Sequence, residues 1–159
     1  MNKIGPAGGM GNEAIEIGFW HANQEAKNIP LQQIILIGDA PANTQNEVAA
    51  KRGRLGEKYW STTKFNSPTY YKDEIAHLKQ AGIPVHAFYV DEGAKKNFEE
   101  IAQETNGSCQ FLDINSNEKG AAMLTDLITE EILMVVGKTK GVGDKFAKQY
   151  SEKFGKSYV

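Results

Sequence analysis

The carboxylate most clearly placed for chemistry is Asp39, which follows an aliphatic run, Ile34 to Ile37, and one glycine. A carboxylate at such a position can hold a cation or accept backbone N–H groups from the loop that follows. It can also simply cap the turn before Pro41, which is the structural alternative. Open α/β sheets bind ligands beyond the carboxyl ends of their strands, so Asp39 is our first candidate site residue.

The other reactive side chains do not form patterns typical of catalysis. The three histidines are scattered, none has a second ligand at zinc spacing, and we expect His86 to be packed or hydrogen-bonded in the core. Cys109 is the only cysteine, and we expect it to be buried and structural. Neighbouring glutamates such as Glu130 and Glu131 face different directions on a helix. We therefore expect no catalytic residues and no enzymatic activity.

Two glycine-containing segments resemble phosphate loops only superficially. The segment GPAGGMG at residues 5–11 lacks the Lys-Ser/Thr ending and does not follow a predicted strand. The Gly-Lys-Thr at residues 137–139 ends a predicted helix, whereas a phosphate loop opens one. Neither segment predicts a nucleotide site.

The elements that would position Asp39 alternate between helix and strand. The run from Ile34 to Ile37 has the length and β-branching of a strand buried on both faces, and Asn12 is placed to cap the helix before it. The alternation predicts a doubly wound, Rossmann-like α/β fold of three layers with a mainly parallel sheet. The predicted helices cover residues 12–27, 70–81, 96–106, 118–136 and 144–154, short helical turns are predicted at 46–51 and 56–60, and the predicted strands cover 34–37, 83–90 and 108–114.

Composition and charge exclude several classes of protein. The 159 residues are 40% hydrophobic and 24% charged, as in ordinary globular domains, and the net charge of −2 is spread along the chain. We therefore expect no nucleic-acid partner and no membrane association. A single cysteine favours a reducing compartment, which predicts a cytoplasmic location. We expect one α/β domain over residues 1–142 and a C-terminal helical tail over 143–159.

Five segments, in this order along the chain, carry a resemblance to a known family. They are GGMGNEAIEIGFWHA, QQIILIGDAPAN, LKQAGIPVHAFYV, FEEIAQETNGSCQFLD and MLTDLITEEIL. Together they resemble a von Willebrand factor A domain from about Gly8 to Val136, and are most similar to intracellular members, some of which are joined to alpha-kinase domains.

The resemblance implies a metal-ion-dependent adhesion site for Mg²⁺ or Mn²⁺ at the carboxyl end of the sheet. In that family three loops supply oxygen ligands, and Asp39 matches the aspartate of the third loop. Asn43 and Thr44 are secondary candidates from the same loop. Met10 or Gly11 stands where the second-loop threonine is expected, and the Asp-x-Ser-x-Ser motif of the first loop does not occur. The resemblance therefore implies that the first strand of the family is absent from this sequence and that the metal site is degenerate or incomplete.

The same comparison predicts a non-enzymatic protein-interaction module with a protein partner. Without a neighbouring strand, Ile34 to Ile37 would form an apolar sheet edge, and we expect a homodimer or strand exchange through it. The alternative is a small α/β domain that is receiver-like or responds to a nucleotide or phosphate. In the receiver-like case Asp39 is the phosphoacceptor, although the second acidic pair and the lysine of receivers are not found. The aromatic segment GEKYWSTTKFNSPTYY at residues 56–71 is either a recognition surface or a lid folded over the helices.

Overall fold

Three parallel strands form the sheet of the computed structural model, which describes residues 11–114 and 118–154. Strands β1 (Ile34–Gly38), β2 (Val85–Tyr89) and β3 (Cys109–Phe111) lie in the order β1-β2-β3. All three coincide with strands predicted from the sequence. The protein therefore has a mixed α/β fold with a parallel sheet.

Seven helices accompany the strands in the described residues, and most begin or end within a few residues of their predicted bounds. The largest differences are four positions: α2 extends to Leu55, past the predicted end at residue 51, and α5 begins before the predicted residue 96. Helix α5 begins early because Asp91 caps it, accepting a hydrogen bond from the Gly93 N–H at 2.7 Å. The helices are α1 (Ile15–Glu25), α2 (Gln45–Leu55), α3 (Glu57–Trp60), α4 (Tyr71–Gln80), α5 (Glu92–Glu104), α6 (Glu118–Thr139) and α7 (Lys145–Phe154).

The prediction that Asn12 caps α1 was wrong. The helix begins after Ala14, which makes no side-chain capping bond. The Asn12 amide donates instead to Ala42 O at 3.3 Å and to Glu47 Oε2 at 3.0 Å. Asn12 therefore joins the start of α1 to the start of α2.

The core lies around β2, whose five residues are all buried. Val85 packs with Phe19 of α1 and Leu78 of α4, while Ala87 and Tyr89 pack with residues of α5 that include Phe98. A run buried on both faces is typical of a central parallel strand, which is the place of β2 in the sheet.

Strand β1 differs from the prediction that it is buried on both faces. It pairs with β2 alone among the described strands, so it lies at the edge of the sheet that they form. Ile34 to Leu36 are half-buried, but the Ile37 side chain is 44% exposed. The aliphatic composition of the run signalled a strand but did not reveal how many neighbours it has.

The predicted C-terminal tail forms α7, which packs against α6. The Tyr150 hydroxyl of α7 donates to Asp126 Oδ1 of α6 at 2.8 Å. Within the described part of the chain, no helix combines the length and apolar character needed to cross a lipid bilayer.

Candidate binding groove beside strand β1

An open groove of about 440 Å³ runs beside the carboxyl-terminal half of β1. We call it the β1 groove. One wall is the segment that leads into α1, and the other is β1 with the loop that follows. It is lined by Glu13, Ala14, Ile15, Leu36, Ile37, Gly38, Asp39 and Ala40.

Backbone hydrogen bonds hold the two walls together at one end. The Glu13 N–H donates to Pro41 O at 2.8 Å, and the Asn43 N–H donates to Glu13 O at 2.9 Å. From the other side, the Ala42 N–H donates to Asn97 Oδ1 of α5 at 2.9 Å. The loop after β1 is therefore fixed by both α5 and the segment before α1.

The glycine before Asp39 allows α5 to approach the end of β1. A Cβ atom at Gly38 would lie 3.1 Å from Cζ of Phe98, a ring with no exposed surface. That separation is tighter than an ordinary van der Waals contact, so a larger residue would require the Phe98 ring to shift by a few tenths of an ångström. Glycine avoids this shift at the end of the apolar run.

Asp39 itself lies exposed on the rim of the β1 groove. Among the described residues its carboxylate has no hydrogen-bond or ion-pair partner, so the turn-capping alternative finds no support there. Glu13, also exposed, brings a second carboxylate to the same groove, while Ile15, Leu36 and Ile37 supply apolar surface. The groove thus combines an apolar wall with a negative rim.

Asn43, a secondary metal candidate, is 2% exposed and makes hydrogen bonds at both ends of its amide. Its Nδ2 donates to Glu16 Oε1 at 3.0 Å, and its Oδ1 accepts a hydrogen bond from Lys51 Nζ at 2.6 Å. The side chain therefore links α1 to α2.

Thr44, the other secondary candidate, is the N-cap of α2 in a capping box. Its hydroxyl donates to Glu47 Oε2 at 2.8 Å and accepts from the Glu47 N–H at 3.3 Å. The same Glu47 oxygen accepts the Thr44 N–H at 2.8 Å. These bonds start α2 and leave the hydroxyl with partners inside the protein.

The structure therefore places Asp39 and Glu13, which the sequence analysis did not single out, in the lining of one groove, and gives Asn43 and Thr44 other partners. No group of three or more His, Cys, Asp or Glu side chains suited to a metal ion occurs in residues 11–114 and 118–154. Carboxylates are the ligand type that a hard cation such as Mg²⁺ prefers, and Asp39 and Glu13 are the carboxylates in the lining of the groove. Met10 and the glycine-rich segment before it lie outside the described residues.

A buried cluster of Ser108, His86 and Glu131 was not predicted, because its members come from three separate parts of the chain. His86 Nδ1 lies 2.9 Å from Ser108 Oγ and 3.1 Å from Glu131 Oε2, and Ser108 Oγ donates to Glu131 Oε1 at 2.5 Å. The prediction that His86 is hydrogen-bonded in the core is confirmed. Serine and carboxylate share one ring nitrogen, whereas a catalytic triad places them on opposite nitrogens.

Two ionisable groups near the sheet have shifted pKa values. Burial alone would raise the pKa of Glu131, but hydrogen bonds from His86 and Ser108 hold that pKa below its ordinary value. Burial raises the pKa of Cys109 to about 11, so its thiol stays protonated at neutral pH. The cluster around Glu131 attaches α6 to the sheet, since Glu131 belongs to α6 and His86 to β2.

Comparison with protein-family models, with curated proteins and with solved structures found no match. The relation to von Willebrand factor A domains therefore stays a prediction from the five sequence segments.

Proposed function

We propose that this chain is a non-enzymatic protein-interaction module of the von Willebrand factor A type, which pairs through the edge of β1. The observation that carries the proposal is the exposure of Ile37, 44%, on an aliphatic strand that has one neighbour among the described strands. Exposed apolar edges are templates for pairing with another chain.

The backbone of β1 supports this proposal. The Ile34 N–H donates to Pro84 O at 2.9 Å, and Gly38 O accepts the Val90 N–H at 3.0 Å. Peptide groups alternate between the two edges of a strand, so those of Ile35 and Ile37 point away from β2. A strand added there would receive hydrogen bonds from these groups and cover the Ile37 side chain.

A second copy of this chain is the partner that we propose. Two β1 edges can pair around a two-fold axis, because each offers the same apolar run and the same alternating peptide groups. The resulting continuous sheet would supply β1 with a second neighbouring strand. In this proposal the fold is doubly wound and three-layered, and the partner strand lies beside β1, at the position that the resemblance assigns to the family's first strand.

The experiment is light scattering of the purified chain over a range of concentrations. We expect a dimer that Ile37→Lys converts to a monomer, since a lysine charge on the edge opposes pairing. Ile132→Lys is the matched control, because Ile132 is similarly exposed, 47%, but lies on α6. A monodisperse monomer at every concentration would overturn pairing through β1.

One observation favours a second candidate function, that of a receiver-like domain. Asp39 is exposed at the carboxyl end of a parallel strand, so its carboxylate is accessible to a phosphodonor, as a phosphoacceptor requires. Incubation with acetyl phosphate followed by mass spectrometry separates the two proposals. Phosphorylation that is lost in Asp39→Asn would favour the receiver.

A further inference from the structure

A cavity of about 170 Å³ lies between α1, α2 and the aromatic segment, residues 56–71. That segment folds onto the two helices: the Phe65 ring meets Trp20 of α1 edge-on, with 4.9 Å between the ring centroids, and Trp60 Nε1 donates to Arg52 O of α2 at 2.9 Å. The aromatic segment therefore lies over both helices and forms one wall of the cavity.

The wall of the cavity is mostly apolar, and the volume suits one side chain. Ile17 of α1, Val48 of α2, Trp60 and Phe65 all line it. An engineered apolar cavity of about 150 Å³ in another protein accepts benzene, so this one is large enough for a single aromatic ring. Aromatic rings attract one another edge to face, and two of these four wall residues are aromatic. A phenylalanine side chain therefore fits the cavity in size and in chemistry.

Two polar side chains of the wall already use their hydrogen-bonding groups within the protein. Asn43 donates to Glu16 Oε1 at 3.0 Å and accepts from Lys51 Nζ at 2.6 Å. Arg52 donates to both carboxylate oxygens of Glu57. These groups do not require a polar atom from an occupant of the cavity.

The chain around the cavity is positively charged, although the net charge of the whole sequence is −2. Residues 45–64 include five basic and two acidic side chains. One basic residue, Arg52, is paired with one of the acids, Glu57. The other four have no ion-pair partner in the part of the chain that the structure describes. They are Lys51, Arg54, Lys58 and Lys64.

Three of these four cations lie close to the cavity. Lys51 lines it, and Lys64 Nζ lies 5.2 Å from the centroid of the Phe65 ring, which also lines it. Lys58 is exposed on the short helix α3, which ends with Trp60 of the cavity wall. An anionic partner is therefore attracted to this surface, and a cationic one is repelled.

We propose that the cavity and these basic residues bind an acidic peptide segment of a partner protein, with one phenylalanine side chain inside the cavity. Protein interfaces concentrate their binding energy in such buried aromatic side chains. A nucleobase fits less well, because the apolar wall would leave the polar groups around its ring without partners. The cavity lining shares only Ala14 with the β1 groove, so this proposal does not depend on pairing through β1.

The test compares three synthetic peptides by NMR titration of the full chain. The probe is Glu-Asp-Glu-Phe-Glu-Asp-Glu, with both ends blocked. In the second peptide alanine replaces the phenylalanine, and in the third lysine replaces every acidic residue. We expect the probe to bind about tenfold more tightly than either of the others, because it alone combines the ring with negative charge.

Charge reversal tests the basic surface. Lys58→Glu should weaken binding of the probe about threefold to fivefold, since it replaces attraction by repulsion at an exposed position. Lys96→Glu is the matched control, because Lys96 is also exposed but lies on α5, and it should leave the affinity unchanged.

A cavity-filling variant, Val48→Phe, should remove the preference for the probe over the alanine peptide, and circular dichroism checks its fold. If Val48→Phe does not fold, the preference of the wild type and the effect of Lys58→Glu decide the question. Absence of saturable binding of the probe would overturn the proposal. So would equal affinity for the probe and the alanine peptide, equal effects of Lys58→Glu and Lys96→Glu, or tighter binding of oligothymidylate than of the probe.

Discussion

The guanidinium of Arg52 holds the Glu57 carboxylate in two hydrogen bonds, Nε to Oε1 at 3.1 Å and Nη2 to Oε2 at 2.6 Å. The same group donates to Phe65 O at 2.8 Å and to Asn66 O at 3.2 Å. Arg52 is 6% exposed, whereas the Glu57 side chain that it binds is 69% exposed. One side chain of α2 thus holds the aromatic segment, residues 56–71, at two places.

We expect Arg52→Lys to lower the free energy of unfolding by about 1–2 kcal/mol, because lysine cannot reproduce the planar fork of donors. Urea denaturation followed by tryptophan fluorescence measures this change. Arg54→Lys is the control, since Arg54 is exposed on the same helix. Equal effects of the two substitutions would show that the network of Arg52 adds nothing to stability.

Two glycines differ in the space that surrounds their Cα atoms, and this difference gives a second prediction. A Cβ at Gly107 would overlap the carbonyl oxygen of Val85, which belongs to the central strand, whereas a Cβ at Gly53 in α2 would meet nothing within 4 Å. We expect Gly107→Ala to cost more than about 3 kcal/mol of unfolding free energy. Gly53→Ala should instead stabilise α2 by about 0.5–1 kcal/mol.

Thermal unfolding of the two variants measures both effects. If Gly107→Ala has the same melting temperature as the wild type, residue 107 does not lie as close to β2 as described here.

The lowered pKa of Glu131 predicts a dependence of stability on pH. Its carboxylate is stabilised in the folded protein by His86 and Ser108, so the folded state binds its proton less readily than the unfolded chain. The stabilisation is therefore present above the ordinary value of 4.5 and is lost as the pH falls through the folded pKa. Glu131→Gln should weaken this loss on acidification, as measured by urea unfolding at a series of pH values.

Glu16 provides a contrast of opposite sign. Burial raises its pKa, so ionisation of Glu16 lowers stability as the pH rises above its ordinary value of 4.5. Glu16→Gln should remove that decline. The interpretation fails if both substitutions change the pH dependence in the same direction.

The proposed role of Asp39 in holding Mg²⁺ or Mn²⁺ predicts a metal-dependent melting temperature. A ligand that binds only the folded state raises the midpoint by mass action, so the midpoint should be higher in Mg²⁺ or Mn²⁺ than in EDTA. Asp39→Ala should abolish the difference, whereas Asp73→Ala, which removes an exposed carboxylate of α4, should retain it.

Asn43→Ala separates a ligand from a structural residue. It should lower the midpoint equally with and without metal, because the amide joins Glu16 to Lys51. The metal proposal would be contradicted if the wild type had the same melting temperature in Mg²⁺, in Mn²⁺ and in EDTA.

The sequence predicted those features that depend on local pattern. The continuous apolar run of β2 and the aliphatic run of β1 were sufficient to find both strands, and the position of Asp39 followed from the second. The sequence analysis overlooked the early start of α5, although Asp91 is a residue type that caps helices.

Features that depend on packing between distant segments were not predictable in this way. Asn43 has the chemistry of a metal ligand, but its burial between α1 and α2 decides its partners. The contact of His86 with Glu131 joins residues 45 positions apart, and no spacing rule connects them. The exposure of Ile37 depends on the neighbours of β1, which its own residues do not encode.

Glu47 Oε2 accepts hydrogen bonds from both Thr44 and Asn12, and this has a consequence for local unfolding of the protein. A single atom receives donors from the start of α2 and from the segment before α1, at 2.8 Å and 3.0 Å respectively. Fraying of either helix end breaks bonds that the other end needs, so the two ends form one cooperative unit. Their amide hydrogens would then exchange with solvent through a common opening event, although the two segments are more than thirty residues apart.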